Sequence, residues 1–140
     1  MTTNVSATTS YNPILPLVGR ILIGLIFLVA GVRKVMGFAG TVAYLAKLGF
    51  PAPEVMAVIA IIIEIGGSIL LIVGWRTRWA AWLLVLFVVV AAFAAHRFWE
   101  ITDAGQFSNQ MNHFLKNLSV VGGLLYVATF GPGSASVDKT

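Results

Sequence analysis

Residues 53–95 read PEVMAVIAIIIEIGGSILLIVGWRTRWAAWLLVLFVVVAAFAA. Two apolar runs, 53–75 and 79–95, meet through Trp75-Arg76-Thr77-Arg78-Trp79. The runs are about 17–23 residues long, and a helix needs about 20 to cross the hydrocarbon of a bilayer. So short a link forces an antiparallel helical hairpin. Trp75, Arg76, Arg78 and Trp79 are the residue types of an interfacial belt and are read as interfacial anchors. Continuous rather than alternating apolar runs argue against β-barrel spans.

Working outward, two further apolar runs occupy residues 14–35 and 113–130. The fold class expected is therefore all-α: a polytopic membrane protein, a four-transmembrane-helix bundle with spans at 14–35, 53–75, 79–99 and 113–130. Phe38, Val42, Leu45 and Leu48 recur at helical spacing, which predicts a short interfacial helix between spans one and two, stopped by Gly49 and Pro51. Residues 100–112 read as a polar connection. Residues 1–13 read as a disordered N-terminal tail without the positive n-region of a signal peptide, and 131–140 as a flexible C-terminal tail, leaving 14–130 as the transmembrane domain.

The composition agrees. Of 140 residues, 59% are hydrophobic and 10% charged, with a mean hydropathy of +0.93. Soluble domains carry about 45–50% apolar and about 25% charged residues, and disordered chains need low hydrophobicity and high charge. Cysteine is absent, which excludes disulfide scaffolds, CxxC redox motifs and thiolate metal sites. The net charge is +4 and the pI about 9.9, but the nine Lys and Arg are scattered singly or in pairs. They read as interface cations facing lipid head groups rather than as a nucleic-acid stripe.

Against this background the polar residues stand out. Glu64 lies eleven residues from each end of span two, near the bilayer midplane. An acidic group there costs about 2.5–3.5 kcal/mol on insertion scales, so it needs a partner. Ala57, Ala60, Gly67 and Leu71 share its face, and small residues mark close helix contact, so Glu64 is expected to face the bundle interior. Arg20 lies roughly 9 Å deep in span one and Glu64 roughly 16 Å deep from the same side, at 1.5 Å per residue. Three readings follow: a structural Arg20–Glu64 ion pair, a protonated Glu64 bonded to a backbone or hydroxyl group, or a proton-handling Glu64 with Arg20. The glycines at 19, 24, 31, 66, 67, 122 and 123 read as helix packing.

Four spans place both termini on one side, here the terminal side, and the intervening connections 36–52 and 100–112 on the other, the loop side. Three helix ends bring Arg33, Lys34, His96, Arg97, Trp99, His113, Lys116 and Asn117 to the loop side. Two readings stand: a snorkelling belt, and a half-buried site for an anionic or quinone-type head group. The quinone would take a cation or imidazole N–H on its carbonyl oxygens and an aromatic ring to stack on. His96 and His113 are the only histidines, with no HExxH or CxxCH spacing, so haem or metal is not expected.

These residues, in order, resemble one family. They are Gly19-Arg20-Ile21-Leu22-Ile23-Gly24-Leu25-Ile26-Phe27-Leu28, the Gly31 to Lys34 exit, Gly49-Phe50-Pro51-Ala52-Pro53 and Glu64-Ile65-Gly66-Gly67. Gly74-Trp75-Arg76-Thr77-Arg78, His96-Arg97-Phe98-Trp99 and His113-Phe114-Leu115-Lys116-Asn117 complete the series. Over residues 15–130 the chain resembles the DoxX-like proteins. The resemblance implies a small multi-pass protein of the bacterial inner membrane, in a family linked by name to quinol oxidase and thiosulfate:quinone oxidoreductase chemistry. It points to Arg20, Lys34, Glu64, Arg78, His96 and Asn117 as functional positions. No second, soluble domain is read in the 140 residues, which favours a subunit or partner role over independent thiosulfate oxidation.

The expected function is thus an integral membrane subunit of a redox system that binds quinone at the loop side. Enzymatic activity would belong at most to a quinone-linked oxidoreductase of which the chain is a subunit. The alternatives are a non-catalytic anchor recruiting a soluble or membrane oxidoreductase, and a small transporter or lipid-handling protein that would form a homo-oligomer.

Overall fold

A computed structural model describes residues 12–139, so all but Asn12 and Pro13 of the expected N-terminal tail lie outside the described residues. Five α-helices follow one another: α1 Ile14–Met36, α2 Phe38–Lys47, α3 Pro53–Val73, α4 Thr77–Ala95 and α5 Ala104–Phe130. A 3-10 turn at Phe98–Glu100 joins the last two. There is no strand among the described residues. Among the described residues, three helices are long and apolar enough to cross a membrane: α1, α3, and α4 continued through Glu100.

Without a hydrophobic drive between helices in lipid, association rests on close packing, and close packing needs small side chains. The buried face of α1 is Arg20, Gly24, Phe27 and Gly31, and that of α3 is Ala57, Ala60, Glu64, Gly67, Ser68 and Leu71. α1 packs on α3, α3 on α4, and α4 on α5, while α2 lies against α3 and the end of α1. The closely packed core sits toward the terminal side, where Phe27, Leu71, Ala81, Leu84, Leu124 and Ala128 meet. Gly24, Gly31, Gly67 and Gly123 lie at close helix contacts, whereas a Cβ at Gly19, Gly66 or Gly122 would meet nothing within 4 Å.

The α3–α4 turn is clamped by two charges of opposite sign. The last carbonyls of a helix lack intrahelical donors, and the helix dipole favours a cation there. Buried Arg20 meets both needs: its Nη1 donates to Leu71 O at 3.0 Å and Ile72 O at 2.9 Å, and its Nη2 donates to Ala135 O. The first amides of α4 need an acceptor, and Asp138 supplies it, taking bonds from Arg76 N, Thr77 N and Thr77 Oγ1 at 2.7–2.8 Å. Asp138 N in turn donates to Gly74 O at 2.7 Å. Gly74 is required here by its φ of 77° and because a Cβ would lie 2.5 Å from Ser136 Cβ.

Three expectations are corrected. Residues 131–139 form a strap across the turn rather than a frayed tail, because Asp138 accepts from the first amides of α4 and the Ala135 carbonyl accepts from Arg20. Residues 100–112 are largely helix, because Asp103 caps α5 by accepting from Gln106 N at 2.9 Å and Phe107 packs edge-on to Phe98 at 5.5 Å. The third apolar run also ends earlier as a helix, at Ala95.

Burial opposes the Asp138 charge, but the amides and hydroxyl of Arg76 and Thr77 outweigh it and hold the carboxyl below its ordinary value of 3.8. A depressed carboxyl contributes its full stability above the unfolded value and loses it as pH falls through the folded one. Asp138→Ala is expected to cost about 1 kcal/mol, the worth of a helix cap, in thermal unfolding at neutral pH. The gap between variant and native protein should close on acidification below pH 3.8.

Candidate functional site

The site begins with the register of α1 on α3. A Cβ at Gly31 would lie 2.6 Å from Ile65 Cγ1 and 3.2 Å from Glu64 Cβ, and one at Gly24 would lie 2.5 Å from Ile72 Cγ1. The two helices therefore run antiparallel with Gly31 level with Glu64. Lys34 is three residues further along α1, about 4.5 Å at 1.5 Å per residue, within reach of a lysine side chain. Its Nζ lies 2.8 Å from both Glu64 oxygens, donating a hydrogen bond to Oε1 and making an ionic contact with Oε2. Glu64 is only 4% exposed.

This corrects the Arg20–Glu64 pairing. Arg20 bonds the carbonyls of Leu71 and Ile72, seven and eight residues past Glu64, which is about 11 Å further along the axis. Measuring depth from the terminal side places Arg20 and Glu64 within reach of each other. It misses that the α3 carbonyl ends claim the guanidinium first, and that Lys34 is aimed inward rather than along the interface.

Toward the loop side the helices enclose a cavity of about 540 Å³. Its walls are mostly apolar, from all five helices, and among its lining residues are Lys34, Glu64, His96, Lys116 and Asn117. Ligand cavities of about 300–1,000 Å³ with an apolar wall and a few placed polar groups are the common form of small-molecule sites. His96 Nδ1 lies 2.8 Å from Gln110 Oε1. This contact fixes the orientation of the His96 ring at the cavity wall and leaves Nε2 on its other edge. The His96 and His113 rings stack at 5.2 Å with 20° between their planes, and Lys116 Nζ lies 3.3 Å from His113 Nδ1.

The loop-side residues thus divide. Lys34, His96, Lys116 and Asn117 reach the cavity; Arg33, Arg97, Trp99 and His113 do not line it. Arg33 lines a neighbouring cavity of about 420 Å³ that shares Ala30, Lys34, Thr41 and Tyr44 with the first. Arg97 is exposed and lies 3.7 Å from Glu100. Trp99 packs with Phe93, Phe98 and Phe114 in an aromatic cluster. Trp75, Arg76, Arg78 and Trp79 are exposed at the α3–α4 turn. Sequence reasoning overlooks Thr41 and Tyr44 of α2 and the Gln110 bond to His96; the polar positions within an amphipathic helix are the signal that could have found the first two.

Long apolar helices, an intramembrane ion pair and a cavity beside it define a multi-pass membrane protein. The chain belongs to the DoxX family, whose profile matches residues 15–97. It is 40% identical over 128 residues to "Inner membrane protein YphA" of Escherichia coli (strain K12), covering 91% of each chain. It is 35% identical over 125 residues to "Inner membrane protein YqjF" of the same organism, covering 88% of each. A shorter match, 33% over 79 residues, links 56% of the chain to 26% of a "Surfeit locus protein 4 homolog" of Schizosaccharomyces pombe. No solved structure matches the chain. With these relatives and its apolar helices, the protein is a multi-pass protein of the bacterial inner membrane.

The α1–α3 register is testable. Gly31→Ala puts a Cβ 3.3 Å from the Ile65 backbone nitrogen as well as against its side chain, and should destabilise the fold by about 1–3 kcal/mol, the range for over-packing. Gly19→Ala, with open space around the new Cβ, should be neutral or slightly stabilising in the same thermal unfolding assay.

Proposed function

We propose that this chain crosses the membrane four times, with 114–130 of α5 as the fourth crossing and α2 lying in the loop-side interface. We propose further that its cavity binds a quinone-type or anionic head group, as a membrane subunit of a redox system. The supporting observation is the joining of Lys34–Glu64, His96, Lys116 and Asn117 to one apolar cavity. Lys34 and Glu64 offset each other's charge, so Lys116 leaves the lining net positive. Lys116 and the Asn117 amide are donors suited to carbonyl or anionic oxygens, and the apolar wall suits a ring and its tail. The residues present therefore fit a quinone. Lys116 and Asn117 would hold one carbonyl oxygen, His96 would face the ring edge, and the Lys34–Glu64 pair would border the opposite side. A bound quinone would supply two-electron, two-proton carrier chemistry, with the electrons exchanged by a partner oxidoreductase.

The second reading, an anchor for that oxidoreductase, draws on the exposed loop-side cations Arg33, Lys47 and Arg97. Charge at such a rim steers a partner and weakens with salt.

Purification in mild detergent followed by mass spectrometry separates the two. A bound quinone supports the first reading. A clean protein with a stoichiometric soluble partner released by salt supports the second and removes the first. In titrations with a short-tailed para-benzoquinone, Asn117→Ala should weaken binding by roughly five- to tenfold, the worth of one hydrogen bond, and His96→Ala should weaken it through the lost contact with the ring edge, both with unchanged melting temperature. Unchanged affinity in both variants would remove the cavity as the site.

A further inference from the structure

The cavity is not bounded only by buried side chains. Ile59 on α3 and Leu83, Leu86 and Val90 on α4 all line it, yet they are 42%, 43%, 63% and 48% exposed. The remaining exposed lining residues lie on other walls: Ile26 on α1, Tyr44 on α2 and Lys116 on α5. The cause lies in how the hairpin packs. Near its turn α3 and α4 are tight, with Gly67 so close to Leu84 that a Cβ there would sit 2.9 Å from Leu84 Cδ2. Toward the loop side the packing changes. Ala60 and Ile63 of α3 and Phe87, Ala91 and Ala94 of α4 line the cavity instead of closing it. The exposed rim residues of the two helices mark an opening of the cavity between them.

The depth of the gap decides what it opens onto. Leu86 is nine residues past Thr77, about 14 Å along α4 at 1.5 Å per residue, close to the middle of a hydrocarbon layer about 30 Å thick. Acyl chains, not water or head groups, lie there.

We infer that the gap between α3 and α4 is a lateral portal through which the cavity is loaded from the bilayer, and through which the apolar tail of the bound molecule leaves. This inference rests on the ligand-binding reading above and narrows its ligand to a membrane-dissolved molecule with a long tail. The head group lies beside Lys34–Glu64, His96, Lys116 and Asn117. The tail runs past Ile59, Leu83, Leu86 and Val90 into the acyl-chain layer, so its apolar surface is covered by protein wall and lipid in turn.

The test uses the full chain in detergent and two probes: a para-benzoquinone with a single prenyl unit and the same ring with a long polyprenyl tail. The native protein should prefer the long-tailed probe. Leu86→Trp narrows the gap and should cost the long-tailed probe about tenfold more affinity than the short-tailed one, within the range of an over-packing penalty. Leu86→Ala, which widens it, should keep the preference and guards against a folding defect in the tryptophan variant. A diazirine on the long tail should label Ile59, Leu83 or Val90. Equal losses for both probes, no tail preference in the native protein, or labelling confined to α2 would overturn the portal while leaving the head-group site standing. Binding of neither probe by the native protein would remove both.

Discussion

A carboxylate at the midplane of a membrane helix is tolerated only with a partner, and Lys34 meets that demand for Glu64 at 2.8 Å. The pairing constrains the rest of the molecule. Lys34 reaches Glu64 because α1 and α3 touch at Gly31, where no side chain intervenes. Breaking a buried pair by removing one partner typically costs about 3–5 kcal/mol, because the survivor is left charged without a counter-ion. The pair therefore reinforces the register of α1 on α3 that the Gly31 contact sets and, with it, the wall of the cavity.

The two ends of the bundle have different tasks. At the terminal end, charges satisfy helix ends: Arg20 takes the last carbonyls of α3, and Asp138 takes the first amides of α4. Phe27, Leu71, Leu84 and Leu124 fill the space between them. At the loop end the helices leave a cavity between them, and the polar groups line it instead of capping helices. A closed end that holds the turn in place lets the other end stay open without loss of order. Arg20, a functional candidate by family pattern, belongs to the closed end; Lys34, Glu64, His96 and Asn117 belong to the open one.

Much of this is legible in the sequence, for reasons of distance along the chain. Hydropathy reads α1, α3 and α4 directly, since a run of about 20 apolar residues has few other uses. The inward direction of Glu64 follows from Ala57, Ala60, Gly67 and Leu71 on its face, a local property of one helix. Its partner does not follow, because the choice between Arg20 and Lys34 depends on the stagger of two helices, which the Gly31 contact sets in three dimensions. The C-terminal strap is illegible for a related reason. Its Gly, Pro and Ser composition reads as a frayed end, and only the unpaired amides at Arg76 and Thr77 show what Asp138 is for. The polar first half of α5 conceals its helicity, because polarity reads as a connection where no apolar face is long enough to outweigh it.

The most direct test of the central claim is a pair of double-mutant cycles read by reversible unfolding in detergent. One cycle combines Lys34→Met with Glu64→Gln, the other Arg20→Gln with Glu64→Gln. The account predicts a coupling of about 1–3 kcal/mol between Lys34 and Glu64, with the double variant recovering part of the loss of either single one. It predicts additivity within about 0.5 kcal/mol between Arg20 and Glu64, whose partners are separate. Coupling of Glu64 to Arg20, with additivity toward Lys34, would contradict the register of α1 on α3 and the cavity built upon it.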